Sequence, residues 1–177
     1  MPISPYLLAL RQHVGHAPLL MPSVAVMVRD AAGRLLLVRG RDTGLWQTVG
    51  GAMDPGEEPA EAAAREALEE TGLVVEPTRI LGVHAGPLFR LTYPNGDVVD
   101  YVGISFAARV VGGAERPCQD EVDRLAWLTE AEALALPAAP HTRLLVEEAF
   151  RDAPEAAFAA PQARPGGRLA EAAAGTI

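Results

Sequence analysis

A short helix with well-marked ends is the feature that most restricts how this chain can fold. The segment Pro59–Thr71 has the alanine- and glutamate-rich composition of a helix. Glu58 suits the capping position before it, Pro59 the first helical position, and Gly72 the position just past its end. Apolar, β-branched runs lie on both sides of this helix. The pattern therefore predicts an α/β fold in which helices cover a mixed sheet.

Turn-forming residues divide the rest of the chain into further elements. Hairpin turns are expected at Asp30–Gly33 and at Pro94–Asp97, whereas the glycine-rich Gly40–Gly56 is expected to be a loop. The expected strands are Ser23–Arg29, Arg34–Arg39, Val74–Val83, Leu88–Tyr93, Val98–Ala108 and Leu125–Leu128. The other expected helices are Tyr6–His13 after Ser4, Glu130–Leu136 after Thr129, and Thr142–Phe150.

One domain accounts for most of the 177 residues. We expect residues 1–20 to form an N-terminal helical appendage, residues 21–153 the main domain, and residues 154–177 a flexible or loosely docked tail rich in alanine, proline and glycine. The sequence has no apolar run long enough to cross a bilayer, and Met1–Leu20 does not have the pattern of a signal peptide. A cytoplasmic location is therefore expected.

The composition excludes several classes of function. A net charge of −8 argues against a nucleic-acid partner, so a phosphate ligand must be held by a metal or by local arginines. The absence of lysine excludes Schiff-base chemistry and a P-loop. Cys118 is the single cysteine, which excludes an internal disulfide and a cysteine-rich zinc site, and it is expected to be a small, partly buried residue.

Three glutamates of the central helix are candidates for chemistry. Glu66, Glu69 and Glu70 are three and four positions apart, which places their carboxylates on one face. Like charges this close repel each other. The repulsion is tolerated if the carboxylates spread into water or if a cation lies among them. Hard oxygen ligands at this density suit Mg²⁺ or Mn²⁺. A solvated acidic face is the alternative interpretation.

The string GAMDPGEEPAEAAAREALEETGL, which begins at Gly51, resembles the Nudix box at every specified position. That motif has a glycine, five residues, a glutamate, seven residues, Arg-Glu, an apolar and a free position, Glu-Glu, a free position, a glycine and an apolar residue. Its positions are matched by Gly51, Glu57, Arg65, Glu66, Ala67, Glu69, Glu70, Gly72 and Leu73. The resemblance covers about Leu20–Ala153 and implies an α/β/α sandwich around a mixed β-sheet. Val49 departs from the pattern, because many relatives have proline there.

The resemblance also implies a metal site. Its ligands would be Glu66, Glu69, Glu70 and the carbonyl of Gly50, with Glu121 on a later loop completing the site and Asp120 and Asp123 as alternatives. Arg65 would orient the glutamates through an ion pair with Glu57, a role that suits its planar guanidinium group. Gly51, Glu57 and Gly72 would be structural members of the motif.

The expected reaction is hydrolysis of a pyrophosphate bond in a nucleoside diphosphate derivative. A metal-activated water would attack one phosphorus in line, with Glu69, Glu70 or Glu121 accepting its proton. The cofactor would be Mg²⁺, with Mn²⁺ as an alternative. ADP-ribose-like compounds and nucleoside triphosphates fit this class. Pro87 lies about fifteen positions beyond the motif, where its position is similar to that of a proline in ADP-ribose hydrolases, but it also suits a simple turn.

Substrate contacts are expected from residues outside the motif. Arg39 and Arg41 are candidates for phosphate binding, and Trp46 or Tyr101 for stacking on a base; solvent exposure or core packing is the alternative for each. A structural role is expected for the histidines at positions 84 and 141, because the chain's histidines show no metal-ligand spacing.

Two other functions remain open at this point. A Nudix-fold module could bind a nucleotide without cutting it, although this chain keeps every glutamate of the motif. A purely structural acidic helix would bind no divalent ion. A homodimer, with Met1–Leu20 as a candidate interface, is compatible with the resemblance.

Overall fold

The computed structural model describes residues 4–151 and 153–159, and its centre is an eight-stranded mixed sheet. The strands are β1 (Leu19–Arg29), β2 (Leu35–Gly40), β3 (Trp46–Ala52), β4 (Leu73–His84), β5 (Arg90–Thr92), β6 (Val98–Gly113), β7 (Val122–Leu128) and β8 (Ala157–Phe158). The helices are α1 (Pro5–Val14), α2 (Pro59–Thr71), α3 (Glu130–Ala135) and α4 (Pro140–Arg151), with a 3₁₀ turn at Pro87–Phe89. None of the helices in the described residues is long and apolar enough to span a membrane.

The order of the strands is β7-β2-β3-β1-β6-β4-β8, and β5 pairs with β6. The sheet is mixed because β1 runs parallel to β6 from Leu19 to Arg29 and antiparallel to β3, and because β8 runs parallel to β4. Helix α2 packs on one face against a core that includes Val26, Val49 and Ala63, while α3 and α4 cover a second core on the other face. The predicted α/β architecture, a sheet between two helical layers, is confirmed.

The predicted hairpin between the first two strands is wrong in its pairing. β1 and β2 share a single pair, Arg29↔Leu35, and then separate. Strand β3 lies between them, pairing with β1 at Val26↔Val49 and with β2 at Leu37↔Thr48. The predicted loop Gly40–Gly56 included Trp46–Ala52, and this part of the prediction is wrong. The glycines of this segment have low strand propensity, and its strand is specified by pairing with residues distant in the chain.

Local signals set the ends of α2 as predicted. Glu58 and Glu61 form a reciprocal capping box at its start. At its end Gly72 has a φ of 72°, a left-handed conformation, and its N–H donates to the carbonyl of Leu68. A Cβ at Gly72 would come within 2.4 Å of the Ala114 carbonyl oxygen. The glycine therefore allows the segment that follows β6 to pack directly on the helix end.

The two ends of the described chain both contact the sheet. Ser4 caps α1 by accepting a hydrogen bond from Leu7, and Arg11 of α1 donates to the carbonyl of Val98. Beyond α4, β8 pairs in parallel with β4 at Gly82↔Ala157. The predicted boundaries at residues 20 and 153 stay predictions. Residues 160–177 of the predicted tail lie outside the described residues.

Candidate active site

Arg65 connects the helix to the loop before it. Its Nε and Nη2 donate to the two carboxylate oxygens of Glu57 at 2.6 and 2.9 Å, and Nη2 also donates to the Ala52 carbonyl at 3.1 Å. Its Nη1 donates to Glu66 at 2.8 Å and to Glu69 at 3.1 Å. The bond to Glu57 contributes most to raising the pKa of Arg65. Arg65 therefore holds the buried Glu66 against the loop and also contacts the exposed Glu69.

Glu66 is fully buried, and one of its oxygens has no partner. Its Oε1 accepts from Arg65, but its Oε2 has no hydrogen bond among the described residues. Burial raises the pKa of Glu66 to about 7 despite the ion pair with Arg65, and the charges of Glu69 and Glu121 add to the rise. An unpartnered buried carboxylate oxygen is costly and calls for a ligand that the protein itself does not supply.

Glu70 is also buried, with 4% of its surface exposed, and its carboxylate contacts strand β3. Its Oε2 accepts a hydrogen bond of 3.0 Å from the Gly50 N–H. Burial raises its pKa to about 8, opposed by that hydrogen bond, and the charges of Glu66 and Glu121 add to the rise. Two buried, neighbouring carboxylates destabilise one another unless a proton or a cation lies between them.

Gly51 sits against the carboxylate of Glu66. A Cβ at this position would come within 2.6 Å of Glu66 Oε1, closer than side-chain contacts allow. A side chain at this position of β3 would therefore displace either the Glu66 carboxylate or the strand. The glycine brings the strand's backbone directly onto the buried carboxylate.

The segment between β6 and β7 packs against the end of α2 and lines the acidic site. Its backbone N–H groups satisfy free carbonyls at the end of α2: Arg116 donates to Thr71 at 2.7 Å and Cys118 donates to Glu70 at 3.2 Å. This docking forms a small cavity of about 70 Å³ lined by Glu66, Glu69, Glu70, Cys118, Asp120 and Glu121. The structure thus brings the three predicted helix carboxylates together with Glu121.

The donor set suits a hard divalent cation, since carboxylates predominate and Glu66 offers an unpartnered oxygen. As they stand, no three His, Cys, Asp or Glu side chains within residues 4–151 and 153–159 are arranged closely enough to hold a metal ion. The Glu69 carboxylate accepts a hydrogen bond from Arg65, and the Glu70 carboxylate accepts one from the Gly50 N–H. The Glu69 side chain is 54% exposed, and its ion pair is worth only about 0.3–0.5 kcal/mol, so it can turn inward at little cost.

Arg39 and Arg41, predicted phosphate ligands, have partners within the protein. Arg39 forms a two-bond ion pair with Asp123, in which Nε and Oδ1 are 2.8 Å apart. The N–H of Arg41 donates to the Glu121 carbonyl at 2.7 Å, and its guanidinium group donates to the Gln119 carbonyl. Both arginines therefore hold the segment that carries Glu121, and Asp123 lies in that ion pair. Phosphate binding by Arg39 or Arg41 stays a prediction.

A second cavity of about 200 Å³ lies on the opposite face of the sheet, and Gly50 and Gly51 line it as well. Tyr101, a predicted stacking residue, lines this cavity, and its hydroxyl is 2.7 Å from that of Tyr93. Burial raises the pKa of Tyr101. Trp46, the other predicted stacking residue, packs against the second core, and its backbone N–H donates to the Pro137 carbonyl.

Sequence reasoning missed the polar group in this cavity. His84, Ser105 and Glu148 hydrogen-bond to one another, although 21 to 64 positions separate them. Only the alternation of β4 and β6 and the burial of Glu148 on the inner face of α4 bring them together. No local pattern in the sequence signals such a contact.

Known proteins resemble this chain in sequence and in fold. The family model described as NUDIX domain matches residues 19–149. A MutT-like protein of Streptomyces ambofaciens is 34% identical over 121 residues, which cover 68% of this chain and 71% of that protein. A putative 8-oxo-dGTP diphosphatase of Bacillus subtilis (strain 168) is 43% identical over 65 residues, 37% of this chain and 44% of that protein. The chain also resembles the crystal structure of a MutT protein from Methanosarcina mazei Go1, with a TM-score of 0.62 and 26% identity. That match covers 75% of this chain and 94% of the Methanosarcina chain. The resemblance seen in the sequence is therefore confirmed: the chain belongs to the Nudix family of hydrolases, which act on phosphoric anhydrides.

Proposed function

We propose that this protein hydrolyses the pyrophosphate bond of a nucleoside triphosphate or of another nucleoside diphosphate derivative with the help of Mg²⁺ or Mn²⁺. The observation that supports this most strongly is the buried pair Glu66 and Glu70, whose pKa values burial raises to about 7 and 8. Their ionised forms need a cation, and the unpartnered Oε2 of Glu66 offers it a ligand. Divalent metal use is general in the family.

The proposed ligands are the carboxylates of Glu66, Glu69, Glu70 and Glu121 together with the carbonyl of Gly50. A divalent cation bound there would neutralise the oxygens of the diphosphate and lower the pKa of a water. Arg65 is a positioning residue, because its guanidinium group connects Glu66 to the loop carboxylate of Glu57.

The chain's own part in the reaction is to orient the diphosphate and to remove one proton. Water attacks one phosphorus, the bond from that phosphorus to the bridging oxygen breaks, and the second phosphate leaves with the bridging oxygen. Glu69, Glu70 and Glu121 are the candidates for accepting the water's proton. Glu69 is the most exposed of the three helix carboxylates.

The substrate class is supported by the names of relatives and by one local feature. The relative from Bacillus subtilis is named a putative 8-oxo-dGTP diphosphatase, which makes nucleoside triphosphates the first compounds to test. Pro87, whose position resembles that of a proline in ADP-ribose hydrolases, begins the 3₁₀ turn that ends at Phe89 in the wall of the larger cavity, so ADP-ribose belongs in the same panel.

The test is a panel of nucleoside triphosphates, oxidised nucleotides and ADP-ribose, incubated with the protein and Mg²⁺ and analysed for monophosphate products. We expect turnover of at least one compound, loss of turnover with EDTA, and a fall in kcat of about 10²- to 10⁴-fold in Glu70→Gln. Glu147→Gln, an exposed glutamate on α4, is the matched control and should retain wild-type kcat. Nucleotide binding without any turnover would favour the sensor alternative and overturn the proposal.

A further inference from the structure

The larger cavity is built for a planar aromatic group. Its walls include the rings of His84, Phe89, Tyr93, Tyr101 and His141. The His84 and Phe89 rings are stacked, with centroids 5.3 Å apart and 14° between their planes, and His141 is tilted against Phe89 at 6.0 Å. A volume of about 200 Å³ lies below the roughly 300–1,000 Å³ of sites that enclose a whole ligand. The cavity therefore suits one ring system and not an entire nucleotide.

A buried polar network fixes the histidine in the cavity wall. His84 Nε2 is 2.9 Å from Glu148 Oε2, and the Ser105 hydroxyl donates to the same oxygen at 3.2 Å. Ser105 and Glu148 are both buried, at 0% and 7% exposure. Because the serine and the glutamate approach the same ring nitrogen, the group lacks the serine–histidine–carboxylate relay of acyl transfer, in which they bind opposite nitrogens. Glu148 and Ser105 instead fix the orientation of the His84 ring.

The network leaves one nitrogen of His84 for a ligand. A carboxylate accepts hydrogen bonds, so Nε2 is the donor in this contact, and in the neutral form of the ring Nδ1 is then an acceptor. Among the described residues none hydrogen-bonds Nδ1. A fixed acceptor beside stacked rings can distinguish bases by the donors on their edges, because an unmatched polar group at such a site is costly.

The cavity and the acidic site meet at two residues that have no side chains. Gly50 and Gly51 line the cavity, while the Gly50 N–H contacts Glu70 and a Cβ on Gly51 would reach Glu66. The backbone of these two glycines therefore lies between the larger cavity and the carboxylates. A nucleotide with its base in the cavity would carry its diphosphate past this backbone to the carboxylates.

We propose that this cavity binds the aromatic base of the nucleotide substrate, and that His84, held by Glu148 and Ser105, determines which bases are accepted. The inference deepens the proposed function and rests on it for the identity of the ligand as a nucleotide. It assigns base recognition to the α4 face of the sheet and cleavage to the α2 face.

The test measures the binding of nucleoside monophosphates in EDTA by calorimetry, so that it does not depend on turnover. His84→Phe retains a ring for stacking but removes both nitrogens. We expect it to raise the Kd of the preferred monophosphate about 10-fold and to reduce the differences between bases. His13→Phe, the same change at an exposed histidine on α1, should leave Kd unchanged. Ribose 5-phosphate, which has no base, should bind at least about 10-fold more weakly than the monophosphate and equally to both variants.

Ser105→Ala is the second variant, for use if His84→Phe does not fold. It removes one bond that holds Glu148, and we expect about a threefold rise in Kd, with KM rising and kcat retained in any substrate that turns over. An unchanged Kd and an unchanged order of bases in the folded variants would overturn the inference. So would wild-type protein that binds ribose 5-phosphate as tightly as a nucleoside monophosphate. Monophosphate binding that depends on His84, in a protein without turnover, would instead overturn the proposed function alone.

Discussion

Gly51 of strand β3 lies against the Glu66 carboxylate of helix α2. A methyl group on Gly51 would lie 2.6 Å from Glu66 Oε1, so either the carboxylate or the strand must move. We expect Gly51→Ala to lower kcat about 100-fold, because small displacements of catalytic groups have effects of that size. Gly112→Ala is the control, since the nearest atom to its Cβ, on Val74, would be 3.8 Å away. Steady-state kinetics with equal turnover in both variants would contradict this account.

At the same scale, the sequence predicts which carboxylates matter but not their environments. Spacing of three and four positions places Glu66, Glu69 and Glu70 on one face. In the structure Glu66 and Glu70 are buried, while half of the Glu69 side chain is exposed. That difference depends on where β3 and the segment after β6 dock, which helical periodicity does not encode. The partners of Arg39 and Arg41 depend on the same docking.

At the scale of elements, Arg65 joins helix α2 to the loop before it by bonds that lysine cannot reproduce. Its guanidinium group contacts Glu57, Glu66, Glu69 and the Ala52 carbonyl at once. We expect Arg65→Lys to lower metal affinity or kcat about 10- to 100-fold, the usual effect of removing a residue that orients ligands. Titration of activity with Mg²⁺ measures both quantities. A lysine variant with wild-type values would show that the charge alone is sufficient.

The elements themselves differ in how far the sequence predicts them. Helix α2 has its start and stop signals within its own sequence, and it is found where it was expected. Strand β3 was missed because its two glycines have low strand propensity and its pairing partners are more than twenty and about ten residues away. The same limit hid the network of His84, Ser105 and Glu148, which three different elements supply.

At the scale of the whole molecule, the buried carboxylates link stability to pH and to metal. Glutamates of an unfolded chain titrate near about 4.3, whereas burial raises the pKa of Glu66 to about 7 and of Glu70 to about 8. Their contribution to folding is therefore complete below about pH 4 and is lost as the pH rises through 7 and 8. A cation that replaces these protons binds more tightly at high pH.

We therefore expect Mg²⁺ to raise Tm more at about pH 8.5 than at about pH 6. Thermal unfolding in EDTA and in millimolar Mg²⁺ at the two pH values measures this difference. Glu70→Gln, which stays neutral in both states, should reduce it. An equal effect of Mg²⁺ at both pH values would show that the ion binds elsewhere. The cytoplasmic location and the homodimer stay predictions at this scale.

Direct binding of Mn²⁺ to the metal-free protein, followed by electron paramagnetic resonance, tests the central claim that the acidic cavity beside α2 holds a divalent cation. The account predicts saturable binding by the wild-type protein and by Glu147→Gln, with affinity at least about 10-fold lower in Glu66→Gln. Wild-type protein that binds no Mn²⁺, or a Glu66→Gln variant that binds it with unchanged affinity, would contradict the claim.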